Sequence, residues 1–163
     1  MLDWIRIAID YNYWAQRKLL YCLSTVSGAD FKKPVNYSIG SLHQQIVHVM
    51  WAEALWLARL QGETFTQFSH EDYPTLDDIR EGWAGIEMQW RDYIADLTES
   101  DVMGEFEMRR TNGEAYVHRV RDVILHVVNH GTDHRAQMLE LIHSYGGETF
   151  GQDMIFYLRQ QQA

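Results

Sequence analysis

The length, composition and charge of this chain exclude several classes of protein. With 163 residues, 46% of them hydrophobic, the chain can bury a core, and we expect one domain spanning residues 1–163. The formal net charge of −9 opposes binding to nucleic acid phosphates. The single cysteine, Cys22, cannot form an intrachain disulfide, and we expect it to pack in the core. Because no apolar run approaches the ~20 residues of a membrane helix and no targeting signal is visible, we expect a cytoplasmic protein.

Helical periodicity dominates the first sixty residues. Apolar residues recur at a period near 3.6 from residue 2 to about residue 26, which predicts a long first helix that stops at Ser27-Gly28. After a proline-containing connection, Ser38 or Ser41 can cap a second helix. That helix runs to about Gln61, where a glycine ends it.

The second half of the chain predicts two more helices separated by a hairpin. The sequence Thr75-Leu76-Asp77-Asp78 resembles a capping box and leads into the third helix, which ends near residue 97. Residues 98–104 break the helical pattern, and two short strands then flank Asn112-Gly113, the favoured pair of a type I′ turn. The fourth helix starts near Arg119 or Val120 and ends at Tyr145-Gly146-Gly147. Residues 154–158 add a final helical turn or two.

The similar lengths of these helices favour packing side by side. At 1.5 Å per residue, four helices of roughly 22–27 residues are about 33–40 Å long. Helices of matched length pack well as a bundle. We therefore predict an all-α four-helix bundle with a short β-hairpin between the third and fourth helices.

Three histidines stand four residues apart in the fourth helix: His126, His130 and His134. Residues at i and i+4 lie on one helix face, so either neighbouring pair can bind one metal ion, whereas the whole row is too long for one ion. Metal sites in bundles take ligands from facing helices, and His48 in the second helix can complete either pair. The spacing does not decide between the two pairs. Gly131 follows His130 where a zinc protease has glutamate, which argues against peptide hydrolysis.

The chain resembles the DinB/YfiT-like metalloproteins over nearly its whole length. The most specific resemblance is in residues 129–137, NHGTDHRAQ, near the end of the last long helix. Weaker motifs follow the family's order: residues 11–15 (YNYWA), Ser41-Leu42 followed by His48 and Ala52-Glu53, the Asn112-Gly113 hairpin, and residues 153–157 (DMIFY).

This resemblance implies a topology and a set of metal ligands. It implies an up-down-down-up four-helix bundle, often a homodimer, whose divalent ion is held by His48, His130 and His134. His126 then becomes a neighbour of the site rather than a ligand. Asp133 and Ala136 stand where many relatives have histidine and glycine. Roles specific to those replaced side chains are therefore not implied, whereas both ligand positions of the motif are present.

A site with three neutral imidazoles leaves a coordination position open for water or substrate, as catalytic sites do. We expect Zn²⁺ first and Ni²⁺ or another first-row ion second, because nitrogen ligands discriminate poorly among them. Relatives of this fold are known or proposed as thiol-dependent transferases and as metal-dependent hydrolases. The resemblance therefore implies an enzyme in which the metal activates water or a low-molecular-weight thiol for reaction with a small molecule. Glu53 and Asp133 are candidates for the general base.

Two other functions stay open at this point. The first is a non-catalytic bundle, related to stress, that binds metal or dimerises without turning over a substrate. The second is direct DNA binding, which the net charge of −9 opposes because like charges repel the phosphate backbone.

Overall fold

The computed structural model describes residues 1–109 and 113–162. Within these residues, four long helices carry most of the chain: α1 (Leu2–Ser24), α3 (Leu42–Gln61), α4 (Leu76–Asp96) and α6 (Val120–Ser144). The shorter elements in the same residues are α2 (Gly28–Phe31), α5 (Glu99–Met103), β1 (Glu105–Arg109), β2 (Ala115–Arg119) and α7 (Met154–Gln160).

Capping side chains set the starts of two long helices. Ser41 accepts a hydrogen bond from the backbone N–H of Gln44, whose side chain bonds back to Ser41, so this serine begins α3. Thr75 and Asp78 form the same reciprocal arrangement at the start of α4. Gly62 ends α3 with a φ of 71°, a left-handed conformation that glycine adopts without strain. The predicted boundaries of both helices are confirmed.

Two short helices occupy segments that we predicted to be stops or breaks. Ser27 accepts a hydrogen bond from the backbone N–H of Asp30 and begins α2, whereas α1 already ends at Ser24. Thr98 does the same for Asp101 and begins α5. Helices of four or five residues show no apolar periodicity, so a cap is their main local signal. The predicted break of the third helix at residues 98–104 is confirmed, because α4 ends at Asp96, whereas the short helix α5 within that segment was not predicted.

The predicted hairpin is present, with β1 and β2 antiparallel. Glu105 lies opposite Arg119 and Met108 lies opposite Tyr116. Gly113 has a φ of 88°, as a type I′ turn requires. The other half of the predicted turn pair, Asn112, lies outside the described residues.

Contacts between helices reveal their directions, beginning with α1 and α4. Arg91 of α4 forms an ion pair with Asp10 of α1 at 2.7 Å, and Glu87 pairs with Arg17 at 2.9 Å. Residue numbers therefore rise along α1 while they fall along α4. The two helices are antiparallel.

The directions of α3 and α6 complete the topology. The ring of His48 contacts His134 while the ring of Trp56 contacts His126, so α3 and α6 are antiparallel. Asn12 in α1 bonds to Arg135 in α6, and Thr25 just after α1 bonds to Glu148 just after α6, so α1 and α6 are parallel. Taken in chain order, the long helices run up, down, down and up. The predicted bundle topology is confirmed.

The core lies where the long helices meet. It is built from aliphatic and aromatic side chains, among them Ile5, Leu19, Ile46, Met50, Trp83, Trp90, Ile124 and Met138. Cys22 is buried there as a free thiol, as predicted. Among the described helices, none combines the length and apolar character needed to cross a membrane.

Candidate metal centre

The structure brings His48, His130 and His134 together between α3 and α6. The ring centroids of His48 and His130 are 5.2 Å apart, those of His48 and His134 are 5.0 Å apart, and those of His130 and His134 are 4.5 Å apart. One ring nitrogen from each residue lies within 4.8 Å of the others. Because α3 and α6 are antiparallel neighbours, the first half of α3 faces the middle of α6. The three imidazoles can therefore share one ion.

The surroundings keep these imidazoles neutral near pH 7. Burial is the largest cause in all three, because it disfavours the charged form. Burial lowers the pKa of His48, and the neighbouring His134 lowers it further. Burial, His134 and His48 lower the pKa of His130 to about 4. Burial lowers the pKa of His134, although the Asp133 carboxylate opposes that shift. Neutral imidazoles offer the lone pairs that a metal ion requires.

One buried nitrogen of the cluster lacks a hydrogen-bond partner among the described residues. Nδ1 of His134 is buried, and among the described residues it makes no hydrogen bond. A buried polar atom without a partner costs about 1–3 kcal/mol, so this imidazole gains from a ligand. An orphaned imidazole nitrogen in a set of three neutral nitrogen donors fits a divalent metal ion.

His126 lies one helical turn before the cluster and outside it. Its exposed ring packs edge-on against Trp56 at a centroid distance of 5.3 Å and lies 5.9 Å from the ring of His130. Spacing alone left two histidine pairs open. The structure places His130 and His134, and not His126, in the group that converges with His48.

The first candidate for the general base, Glu53, lies in a buried polar network. It is 1% exposed, and its carboxylate accepts hydrogen bonds from Asn12 Nδ2 at 2.8 Å, Tyr13 OH at 3.2 Å and Trp83 Nε1 at 2.7 Å. Burial raises the pKa of Glu53, and these donors together with Arg135 oppose the shift. Both carboxylate oxygens hold helices together. This geometry favours a structural role for Glu53, and its role as a base stays a prediction.

The second candidate, Asp133, is exposed. It precedes His134 in α6, and its carboxylate accepts a hydrogen bond from Gln137 Nε2 at 3.1 Å, one turn along the helix. Solvent reaches this carboxylate, unlike that of Glu53. Of the two candidates, Asp133 is therefore better placed to exchange a proton with a substrate or with water.

Arg135 was given no role by the sequence, although it lies inside the NHGTDHRAQ motif. It is fully buried, and its guanidinium donates to Asn12 Oδ1 at 2.7 Å, to Thr132 Oγ1 at 3.0 Å and to Gln152 Oε1 at 3.2 Å. Burial lowers the pKa of Arg135, while the Glu53 carboxylate is among the groups that raise it. The sequence did offer one signal, because Arg135 is a charged residue directly after His134, a candidate metal ligand in α6.

A family model describes the whole chain. The model of the DinB family matches residues 1–163. The chain belongs to the DinB family. The match includes α3 and α6, the helices that carry the three converging histidines of this DinB-family protein. No curated protein matches the sequence.

Solved structures show the same fold at low sequence identity. A DinB-like protein from Bacillus cereus has a TM-score of 0.64 and 17% identity, with 85% of this chain and 91% of that chain covered. A conserved protein from Enterococcus faecalis has a TM-score of 0.66 and 9% identity, with 86% of this chain and 95% of that chain covered. At such identities, the likeness supports the DinB-type helical bundle and carries no information about chemistry.

Proposed function

We propose that this DinB-family protein is an enzyme that binds one divalent metal ion through His48, His130 and His134 and acts on a small molecule. The observation that supports the proposal is the convergence of three neutral imidazoles from two helices, with one nitrogen of each within 4.8 Å of the others. We propose Zn²⁺ as the ion, with Ni²⁺ or another first-row ion as the second choice. When bound, such an ion supplies a Lewis acid that lowers the pKa of a thiol or a water molecule.

Different residues of the chain have the roles of metal ligand and proton acceptor in this proposal. His48, His130 and His134 supply three ligands and leave room for a further one, which suits a thiol S-transferase or a hydrolase acting on small molecules. We propose that the exposed carboxylate of Asp133 accepts a proton from the substrate side, with Glu53 as the weaker candidate. A homodimer and a cytoplasmic location stay predictions.

Metal analysis with matched histidine variants tests the metal centre. We expect the wild-type protein and His126→Ala to bind one Zn²⁺ per chain, because His126 lies outside the cluster. We expect His130→Ala to lose affinity by at least about 100-fold, since even residues that only support metal ligands contribute 10–100-fold. Equal Zn²⁺ affinity in all three proteins would show that the cluster is not the site.

The alternative function is a non-catalytic metal-binding or dimerising bundle. The observation in its favour is the Glu53 carboxylate, whose oxygens are already engaged by three donors and so cannot easily serve as a base. Assays of thiol consumption with electrophiles, and of hydrolysis with small esters and amides, separate the two functions. Turnover by the Zn²⁺-loaded protein that disappears in His130→Ala supports the enzyme, and metal binding without turnover across both panels supports the alternative.

A further inference from the structure

A pocket of about 370 Å³ lies beside the metal cluster, and His48 forms part of its wall. Most of the remaining wall is apolar and is formed by Ile39, Val47, Trp51 and Phe68. This volume is near the lower end of the range for ligand pockets, about 300–1,000 Å³. The pocket therefore suits a small molecule that can contact the metal ligand and an apolar wall together.

The walls of this pocket are held in place by contacts between α3 and the loop that follows it. Trp51 Nε1 in α3 donates a hydrogen bond to Gln67 Oε1 at 3.0 Å. The Trp51 ring packs edge-on against Phe65, and Phe65 packs edge-on against Phe68. Phe68 in turn packs against Tyr73. The aromatic wall is thus formed before any ligand binds, which reduces the entropy lost on binding.

A second imidazole, that of His70, lies along the pocket from His48. His70 also forms part of the pocket wall, and its ring packs edge-on against His43 at 5.5 Å. His43 is five residues before His48 in α3, a separation of about 7.5 Å along the helix axis. Within the described residues, the ring nitrogens of His70 make no hydrogen bond. They are available to a polar group at the end of a ligand that extends from His48.

A divalent ion bound at the cluster would favour a ligand with an anionic head group. The cluster of possible ligands found in the described residues consists of His48, His130 and His134, and an imidazole binds a metal ion in its neutral form. The nearby carboxylates are otherwise engaged, since Glu53 is buried with three donors and Asp133 is exposed and bonded to Gln137. The charge of a bound divalent ion is therefore not compensated by its protein ligands. A thiolate or carboxylate compensates it.

We propose that the substrate of this site is a small thiolate or carboxylate whose aromatic arm lies in the pocket against Trp51 and Phe68, with a polar substituent near His70. Flat aromatic rings gain from packing against the aromatic wall, beyond the gain from burying apolar area. This inference rests on the proposed metal-binding function, because the anionic head needs the ion.

Two thiols of similar acidity test the inference on the full chain loaded with Co²⁺. Phenylmethanethiol and 2-mercaptoethanol share the head group, and phenylmethanethiol adds the aromatic arm. The thiolate-to-cobalt charge-transfer absorption reports binding of each thiol without requiring turnover. We expect the wild-type protein to bind phenylmethanethiol at least about tenfold more tightly than 2-mercaptoethanol, because the aromatic ring leaves water for the pocket.

Substitutions in and outside the pocket show where the preference arises. We expect Phe68→Ala to reduce the preference for phenylmethanethiol over 2-mercaptoethanol to about threefold or less. Ile39→Ser should act in the same direction, and because Ile39 is 44% exposed this change spares the fold. Phe106→Ala is the matched control, since Phe106 lies in β1 and outside the pocket, and it should keep the wild-type preference.

The outcomes separate failure of this inference from failure of the proposed function. If the wild-type chain binds no Co²⁺, the metal centre and the inference both fail. If Co²⁺ binds but the wild-type preference is below about threefold, or survives both pocket substitutions, the inference alone is overturned. The binding of phenylacetate can be compared with that of acetate in the same way, since both have a carboxylate head. If the wild-type protein binds phenylacetate more tightly and Ile39→Ser removes this preference, the result supports the same pocket.

Discussion

At the scale of single residues, Gly131 allows α1 to approach the helix that carries His130 and His134. A Cβ atom at position 131 would lie 2.8 Å from Asn12 Oδ1 and 2.9 Å from Arg135 Nη1. These two atoms already form a buried hydrogen bond of 2.7 Å with each other. Moving either one to make room weakens that bond. The glycine between the two histidines is therefore explained by packing.

We predict that Gly131→Ala lowers the free energy of unfolding by about 1–3 kcal/mol, the usual cost of overpacking a core. Gly85→Ala in α4 is the matched control, because a Cβ atom there meets nothing within 4 Å. That change should raise the free energy of unfolding by up to about 1 kcal/mol, since alanine is the better helix former. Urea denaturation measures both effects, and a Gly131→Ala protein as stable as the wild type would refute the packing explanation.

Glu53 makes stability depend on pH. Burial raises its pKa in the folded chain, so the unfolded chain, with an ordinary pKa of about 4.3, releases this proton at lower pH. Between these two pKa values the folded state binds the extra proton, and stability falls as pH rises. The contribution of Glu53 to stability is therefore most favourable below its pKa in the unfolded chain. This contribution is lost as pH rises through its pKa in the folded chain.

We predict that the free energy of unfolding of the wild type, relative to Glu53→Gln, falls as pH rises above about 4.3 and then levels off above the folded pKa. Glutamine has a similar shape and does not titrate, so the difference isolates the carboxyl group. Urea denaturation of both proteins in the presence of a chelator gives the profile. A difference that is flat or rises with pH would contradict the prediction.

At the scale of elements, the caps place the long helices in the register that the polar network needs. The backbone N–H of Asp78 donates to Thr75 Oγ1 at 3.2 Å, and the N–H of Thr75 donates to Asp78 Oδ2 at 2.9 Å. The helix that begins here places Trp83 against Glu53 of α3. A local signal in the sequence thus determines where a residue of the core network lies.

We predict that Thr75→Ala lowers the free energy of unfolding by about 1 kcal/mol, the typical cost of losing an N-cap. The control is Thr66→Ala, which removes the same atoms from an exposed threonine in a loop. We expect that control to stay within about 0.5 kcal/mol of the wild type. Urea denaturation compares the two variants, and equal effects would mean that the capping box does not contribute to stability.

At the scale of the whole molecule, the three converging histidines connect two helices that are far apart in the sequence. His48 belongs to α3, whereas His130 and His134 belong to α6. Each of these helices also packs against the core shared with α1 and α4. An ion that binds only the assembled cluster therefore stabilises the entire bundle and not just one helix.

We predict that saturating Zn²⁺ raises the melting temperature by about 5–10 °C, because a ligand at 100 times its Kd adds about 2.7 kcal/mol. A chelator should reverse the shift. His134→Ala should abolish it, while His143→Ala, an exposed histidine at the end of α6, should keep it. Thermal denaturation followed by circular dichroism measures the shift, and one of equal size in His134→Ala would exclude the cluster as its origin.

The sequence by itself determined the features that depend on neighbouring residues. Apolar periodicity, a cap at Ser38 or Ser41 and the capping box at Thr75 predicted the long helices, because these signals act within one or two helical turns. The Asn112-Gly113 pair predicted the hairpin for the same reason. The family motif around His130 pointed to the DinB family, which the match over residues 1–163 confirms. Among the described elements, the short helices α2 and α5 were not predicted, since they are too short to show a period.

Only the tertiary structure decided which side chains meet across helices. Spacing could not separate His126/His130 from His130/His134, because both pairs have the same geometry within α6. The antiparallel packing of α3 and α6 brings His48 to His130 and His134, and leaves His126 against Trp56. The buried network of Glu53 and the aromatic pocket beside His48 depend on the same packing. Distances between residues remote in sequence follow from how the helices assemble, and no local pattern contains them.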